Sequence, residues 1–219
     1  MINKLKLIAL IFSVLTINGC IATQANMVKP NYLHSEGIGY FVVSVTHDGT
    51  GDSTLLYREK GATEYTRIDS VGVFAAKSDF DSKHPPGRVI AVAVPPGEYE
   101  ISGFGLFSSR KVSWDFAQEL PPLKFNVRDS ESVYLGSMHV SRLNGISEMI
   151  RNDIQVPGLT VQNTVIFGLT RAAGANGLFY DGSDRDITIY KDKYKNLLEI
   201  PLKINPLSAT EWNGKHVVQ

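Results

Sequence analysis

The sequence predicts an all-β protein: a single antiparallel β-sandwich with one or two short helices near the C-terminus. Period-two alternation dominates from residue 37 onward, and about eight short runs rich in β-branched and aromatic residues follow one another at spacings of roughly ten residues. Helical periodicity has force only over residues 146–152 and 191–198, where Tyr194, Leu197 and Leu198 make a short apolar stripe.

The first run, residues 40–46, places Phe41, Val43 and Val45 on one face, the pattern of a half-buried strand. Asp48, Gly49, Gly51 and Asp52 supply turn chemistry, so residues 54–58 are expected to return as the second strand of a hairpin. Residues 88–94 carry Ile90, Val92 and Val94 on one face. Pro95 and Pro96 end that strand, Gly97 is expected at the positive φ of a type II turn, and Tyr99 with Ile101 resume the inward alternation. Residues 123–128 alternate strictly, and residues 129–132 turn the chain into a strand over 133–140. Weaker strands are expected over 71–74, 159–169 and 186–190. No fixed-period repeat or composition break divides the chain, so residues 37–205 read as one domain and 206–219 as a loosely attached tail.

Composition narrows the function classes. The 219 residues are 43% hydrophobic and 20% charged, which argues against wholesale disorder, and 22 basic against 22 acidic side chains leave no electrostatic footprint for nucleic acid. The single cysteine makes neither an internal disulfide nor a multi-cysteine zinc site. Nothing in the sequence calls for a cofactor.

The N-terminus carries an address. Lys4 and Lys6 precede an apolar run over residues 7–15, well short of the ~20 residues a spanning helix needs. This is the layout of an export signal over residues 1–19. Ile17, Asn18, Gly19 and Cys20 follow, and they resemble the bacterial lipoprotein signal, in which an aliphatic residue and two small residues precede the cysteine that is acylated and becomes the new N-terminus. Ile17, Gly19 and Cys20 match, whereas Asn18 is bulkier and more polar than the usual residue. The resemblance implies cleavage between Gly19 and Cys20, acylation of Cys20, and anchoring in the membrane. Ile21, in place of the Asp that retains such proteins in the inner membrane, implies the outer membrane, with the domain facing the periplasm. Ordinary cleavage after Ala22 or Ala25, releasing a soluble periplasmic protein, is the alternative. Residues 20–36 lack a sustained period and contain Pro30, which reads as the lipidated cysteine and a tether.

The Pro95, Pro96, Gly97, Tyr99 corner, followed by Phe125–Val127 and by Val133, Tyr134, Leu135 and Gly136, resembles a pattern in bacterial envelope lipoproteins. There it belongs to an immunoglobulin- or transthyretin-like sandwich. The resemblance covers residues 85–140 and implies fold and location, with no established activity to carry over.

Catalytic signatures are missing: the sequence has no His-Glu-x-x-His, Gly-x-Ser-x-Gly, phosphate-cradling or dinucleotide motif. His34, His47, His84, His139 and His216 are scattered singly and read as surface or hydrogen-bonded residues. Residues 48–52 and 181–186 offer alternating carboxylates, but neither completes a calcium loop, Arg185 intrudes in the second, and turn chemistry alone explains both. The richest segment is 103–116, with Phe104, Phe107, Arg110, Trp114 and Phe116 on a connection of about twenty residues. It is the candidate binding loop for an envelope protein or a glycan, against the alternative of an extra strand pair whose rings cap the core. The function expected is therefore a non-catalytic binding or structural component of the envelope. The competing classes are a hydrolase of peptidoglycan or another envelope polymer, working through Asp115 and Glu119 or Asp184 and Asp186, and an adaptor lipoprotein of a secretion apparatus.

Overall fold

The computed structural model describes residues 23–47, 53–70, 77–108, 113–117, 120–142 and 175–207. Among these the protein is mostly β, with two sheets and one α-helix. The strands are β1 (Thr23–Gln24), β2 (Gly39–His47), β3 (Ser53–Glu59), β4 (Thr66–Asp69), β5 (Gly87–Val94), β6 (Gly97–Ser108), β7 (Ser113–Ala117), β8 (Leu123–Val127), β9 (Ser132–Arg142), β10 (Ala175–Tyr180) and β11 (Leu202–Ile204). Helix α1 (Ser183–Lys193) and a 3-10 turn (Lys195–Leu197) lie between β10 and β11.

Sheet A runs β1-β4-β3-β6-β7, with β8 on the same edge of β6 as β7; sheet B runs β10-β9-β2-β5, with β11 beside β9. The two sheets share one apolar cluster, to which β2 gives Phe41, Val43 and Val45, β5 gives Ile90, Val92 and Val94, and sheet A gives Leu55, Ile101, Phe104 and Phe125. Inside it Phe41 meets Tyr57 and Phe125 edge-on at centroid distances of 5.0 and 5.1 Å. The opposite face of sheet B is buried too. Tyr40, Val42, Val89, Ala91, Ala93 and Tyr134 pack there under Tyr190, Tyr194 and Leu197.

That second buried face overturns the expected hairpin. Every residue of β2 is buried, so it is a central strand, between β5 and β9, and its polar-looking alternate positions face a second core. Consequently β2 and β3 lie in different sheets rather than in one hairpin, as do β5 and β6, and β8 and β9. The Pro95–Pro96 corner is thus a sheet-to-sheet crossing, held by the Tyr99 hydroxyl donating to the Pro95 carbonyl at 2.7 Å. Gly97 is not among the positive-φ glycines. Nor are the sheets purely antiparallel, because β2 and β9, β9 and β11, and β1 and β4 pair in parallel. Parallel pairing suits strands covered on both faces, as β2 and β9 are.

Residues 186–190, expected as a strand, belong to helix α1. Asp184 and Asp186 occupy its first turn and Lys191 and Lys193 its last, matching the helix dipole, and the buried pair Asp186 and Tyr190 is four apart on one face. The helix expected over 191–198 exists only as the end of α1 and the 3-10 turn. The segment 20–36, expected as a tether, docks from Thr23 onward: β1 pairs with β4, Ala25 N donates to Arg67 O at 2.8 Å, and Val28 N donates to Ala91 O at 2.8 Å. Ala25 and Val28 are buried, so apolar positions too sparse to show a period still close the side between the two sheets. Residues 71–74, 146–152, 159–169 and 208–219 lie outside the described residues.

The connection over 103–122 contains strand structure. β6 continues to Ser108 and β7 pairs back along it. The register of β6 against β3 slips between Leu56 and Tyr57, whose partners are Gly103 and Ile101, leaving Ser102 as an extra residue. The slip turns Phe104 to the same side as Tyr99 and Ile101, and it is buried in the shared core. A Cβ on Gly177 of β10 would lie 2.7 Å from the Phe104 ring, so the two are in close contact. Phe104→Ala is expected to lower the unfolding free energy by roughly 3–5 kcal/mol, as for other buried aromatics, measured by urea denaturation.

Candidate functional site

The concentration of chemistry lies on the helix-covered face of sheet B, and a bulge in β9 builds it. Tyr134 sits opposite Val42, but the next pairs are Ser44 with Ser137 and Thr46 with His139, so β9 carries one extra residue around Gly136. Gly136 has a φ of 108°, the left-handed region that suits glycine. Strict alternation from Val133 would send Ser137 and His139 into the core between the sheets. The bulge instead places Met138 and Val140 there, and aligns Ser137 and His139 with Ser44 and Thr46 under the helix.

Asp186 descends from α1 into this row and is fully buried. Its Oδ2 accepts from Ser44 Oγ and from the Tyr134 hydroxyl, each at 2.6 Å, and its Oδ1 accepts from Arg185 Nε at 2.7 Å. Ser44 and Ser137 hydroxyls are 2.6 Å apart. With one proton each, Ser44 donates to the carboxylate and accepts from Ser137, which in turn accepts from Arg185 Nη2 at 2.9 Å. The guanidinium lies 4.1 Å from the Phe80 ring centroid, a cation–π contact. Room for all this depends on Gly182, where a Cβ would come 2.8 Å from Asp186 Oδ2 and 3.0 Å from Ser137 Cβ.

Burial works against the Arg185 charge, but the Asp186 carboxylate outweighs it and holds the guanidinium protonated beyond its ordinary range. Burial, reinforced by the Asp186 charge, pushes the Tyr134 phenol well above its usual value, so it keeps its proton and donates a hydrogen bond to Asp186. Beside this cluster His139 Nδ1 lies 2.9 Å from Thr46 Oγ1. Burial, then the neighbouring His47 and Arg185, lowers His139 to about 4. At the far end of α1, Lys193 Nζ donates to Asp79 Oδ2 at 2.6 Å and to Val89 O at 2.9 Å. Burial lowers Lys193 while Asp79 opposes the shift.

Chemically, this arrangement is a satisfied internal ion pair. Asp186 has no exposed surface and three donors, and Asp184, two residues away on the helix, is exposed, so these two carboxylates do not flank a common substrate space. Asp181 Oδ1 accepts from Ser183 N at 2.9 Å, a turn contact. Among the described residues no three His, Cys, Asp or Glu side chains converge as metal ligands.

Phe104 is a core residue, which removes it from the proposed binding loop. Phe107 and Trp114 are backbone partners across β6 and β7, and Phe116 pairs with Gly105. Gly19, Cys20, Arg110, Glu119, His216 and the acidic loop 48–52 lie outside the described residues, and of Asp115 only its place on β7 is described. His34 and His84 are hydrogen-bonded surface residues, with partners Tyr40, Ser130 and Asp81, while His47 and His139 are buried, His139 within hydrogen-bond distance of Thr46. Sequence reasoning missed Ser44, Tyr134, Ser137 and Gly182. The available signal was the polar interruption of two otherwise apolar runs at Ser44 and Ser137.

No family model and no curated protein matches the chain. Among solved structures, a leucine-rich repeat protein from Bacteroides thetaiotaomicron aligns with 48% of this chain and 14% of its own length, at 10% identity and a TM-score of 0.29. So distant a likeness carries no argument about fold or function.

Two outcomes are expected. Asp186→Asn leaves the Arg185 charge buried without its counter-ion and lowers stability by roughly 3–5 kcal/mol, whereas Asp186→Asn with Arg185→Met costs less than the single change; urea midpoints read both. His139, lowered to about 4 when folded, takes its proton more readily in the unfolded chain, whose value is near 6.5. Stability is therefore full above about pH 6.5 and lost as pH falls toward about 4, by roughly 3 kcal/mol, and His139→Gln flattens the profile of urea midpoint against pH.

Proposed function

We propose that this chain is a lipid-anchored outer-membrane protein, a non-catalytic binding or structural component of the envelope whose domain is an immunoglobulin- or transthyretin-like sandwich facing the periplasm. The observation that carries the reading is Cys20, the chain's only cysteine, directly after Lys4, Lys6 and the apolar run over 7–15. An acyl-transferring enzyme at the membrane surface reaches a thiol in that position. Three acyl chains, at about 0.8 kcal/mol per buried methylene, make such an anchor effectively permanent.

The non-catalytic part of the reading is supported by the Asp186 cluster, whose hydroxyls and charges are spent on one another. Phe107, Arg110, Trp114 and Phe116 remain the proposed contact for an envelope protein or glycan, with tethering raising the effective concentration of a membrane-borne neighbour. Alkyne-palmitate labelling tests the anchor: the wild-type protein is expected to label and to sediment with outer membranes, and Cys20→Ser to do neither. An unlabelled wild-type protein whose mature N-terminus follows Ala22 or Ala25 overturns the reading.

A further inference from the structure

The direction in which the chain enters the fold decides which end of the domain a lipid anchor would hold. β1 runs parallel to β4, with Thr23 beside Thr66 and Gln24 beside Arg67, and the chain then runs antiparallel to β5, from the level of Ala93 to that of Ala91. The chain therefore enters from the end where β5 finishes and β2, β4, β6 and β9 begin. That end carries the Pro95–Pro96 crossing, the turn after β3 and the turn between β8 and β9. Three residue steps separate Cys20 from Thr23, a reach of about 10 Å at full extension.

The same end carries exposed apolar surface. Three large apolar side chains are exposed among the residues whose burial is described: Leu33 at 76%, Leu198 at 49% and Ile204 at 55%. Leu33 belongs to a fixed loop, because the next residue, His34, places Nδ1 2.9 Å from the Tyr40 hydroxyl and Nε2 3.2 Å from Ser130 Oγ, in the turn before β9. Tyr32, on its other side, meets Tyr40 edge-on at 6.1 Å. Leu198 lies three residues before Pro201, whose carbonyl accepts from Ser132 N at the start of β9, and Ile204 pairs with Tyr134 two residues further along. Exposed charges nearby have both signs, Lys29 and Arg128 against Glu36 and Asp129, so attraction to anionic lipid does not orient the domain.

We propose that this end of the domain, with Leu33 foremost, rests on the phospholipid surface, and that the opposite end, with the loop over 81–86 next to the last residue of β2, points away from it. The proposal rests on the acylation of Cys20. With a reach of about 10 Å against strands of roughly 30 Å, the anchor restrains orientation as well as location.

The test uses the full lipidated protein in phosphatidylcholine vesicles containing a small fraction of nickel-chelating headgroup lipid. Acylation blocks the Cys20 thiol, so Leu33→Cys and Lys83→Cys each accept one fluorophore. Quenching by the surface nickel is expected to be several-fold stronger at position 33 than at position 83. A flexible Gly-Ser insertion between Ala22 and Thr23 is expected to erase most of that difference. Equal or stronger quenching at position 83, in protein that floats with the vesicles and carries the acyl mass on its N-terminal peptide, overturns the orientation and leaves the anchor standing. A protein lacking the acyl mass overturns both.

Discussion

The central strand of sheet B, β2, is buried on both faces, and much of the rest of the structure answers that constraint. A sheet with one wet face needs a single partner layer, but β2 has no exposed residue, so it requires sheet A on one side and a cover on the other. Helix α1, the 3-10 turn and the docked N-terminal segment supply the cover through Tyr190, Tyr194, Leu197 and Val28. Without them Tyr40, Val42, Ala91 and Tyr134 would face water as one apolar patch.

The cover is fastened at two charged points. Arg185 and Asp186 enter the serine row of β2 and β9 at the start of the helix, and Lys193 reaches Asp79 and the Val89 carbonyl at its end. A buried ion pair adds little stability over an apolar substitute, but it tolerates few alternative arrangements, since each misplacement leaves a charge without a counter-ion. The pair therefore sets where the helix lies on the sheet, while the tyrosines and leucines supply the burial. Tyr134 joins both roles, its ring in the apolar cluster and its hydroxyl on Asp186.

Two register slips determine what is inside. One, at Ser102, turns Phe104 into the core between the sheets; the other, at Gly136, turns Ser137 and His139 out of it. Each inserts one residue into a strand, and because strand alternation has a period of two, one residue reverses every later side chain. The aromatic segment over 103–116 thereby loses Phe104 to the core and keeps Phe107, Trp114 and Phe116 on the β6–β7 ribbon. An anchor at Cys20, through its short connection to β1, would place that ribbon relative to the membrane as well.

Strand content was legible in the sequence wherever alternation was local: β2, β5, β8 and most of β9 fall where the period of two puts them, and Leu123, Phe125 and Val127 face inward as their spacing requires. The pattern over residues 1–20 on which the proposed anchor rests is a linear one and needs no fold to be read. Pairing was decided by tertiary structure alone. Whether a turn closes a hairpin or carries the chain to the other sheet depends on which faces are buried, and turn composition at residues 48–52 or 95–97 is the same in both cases. Asp186 gave no sign of its burial, because its partners lie 142 and 52 residues away at Ser44 and Tyr134. The run over 186–190 becomes a helix because packing against sheet B rewards the four-residue spacing of Asp186 and Tyr190 over the weak alternation of its β-branched residues.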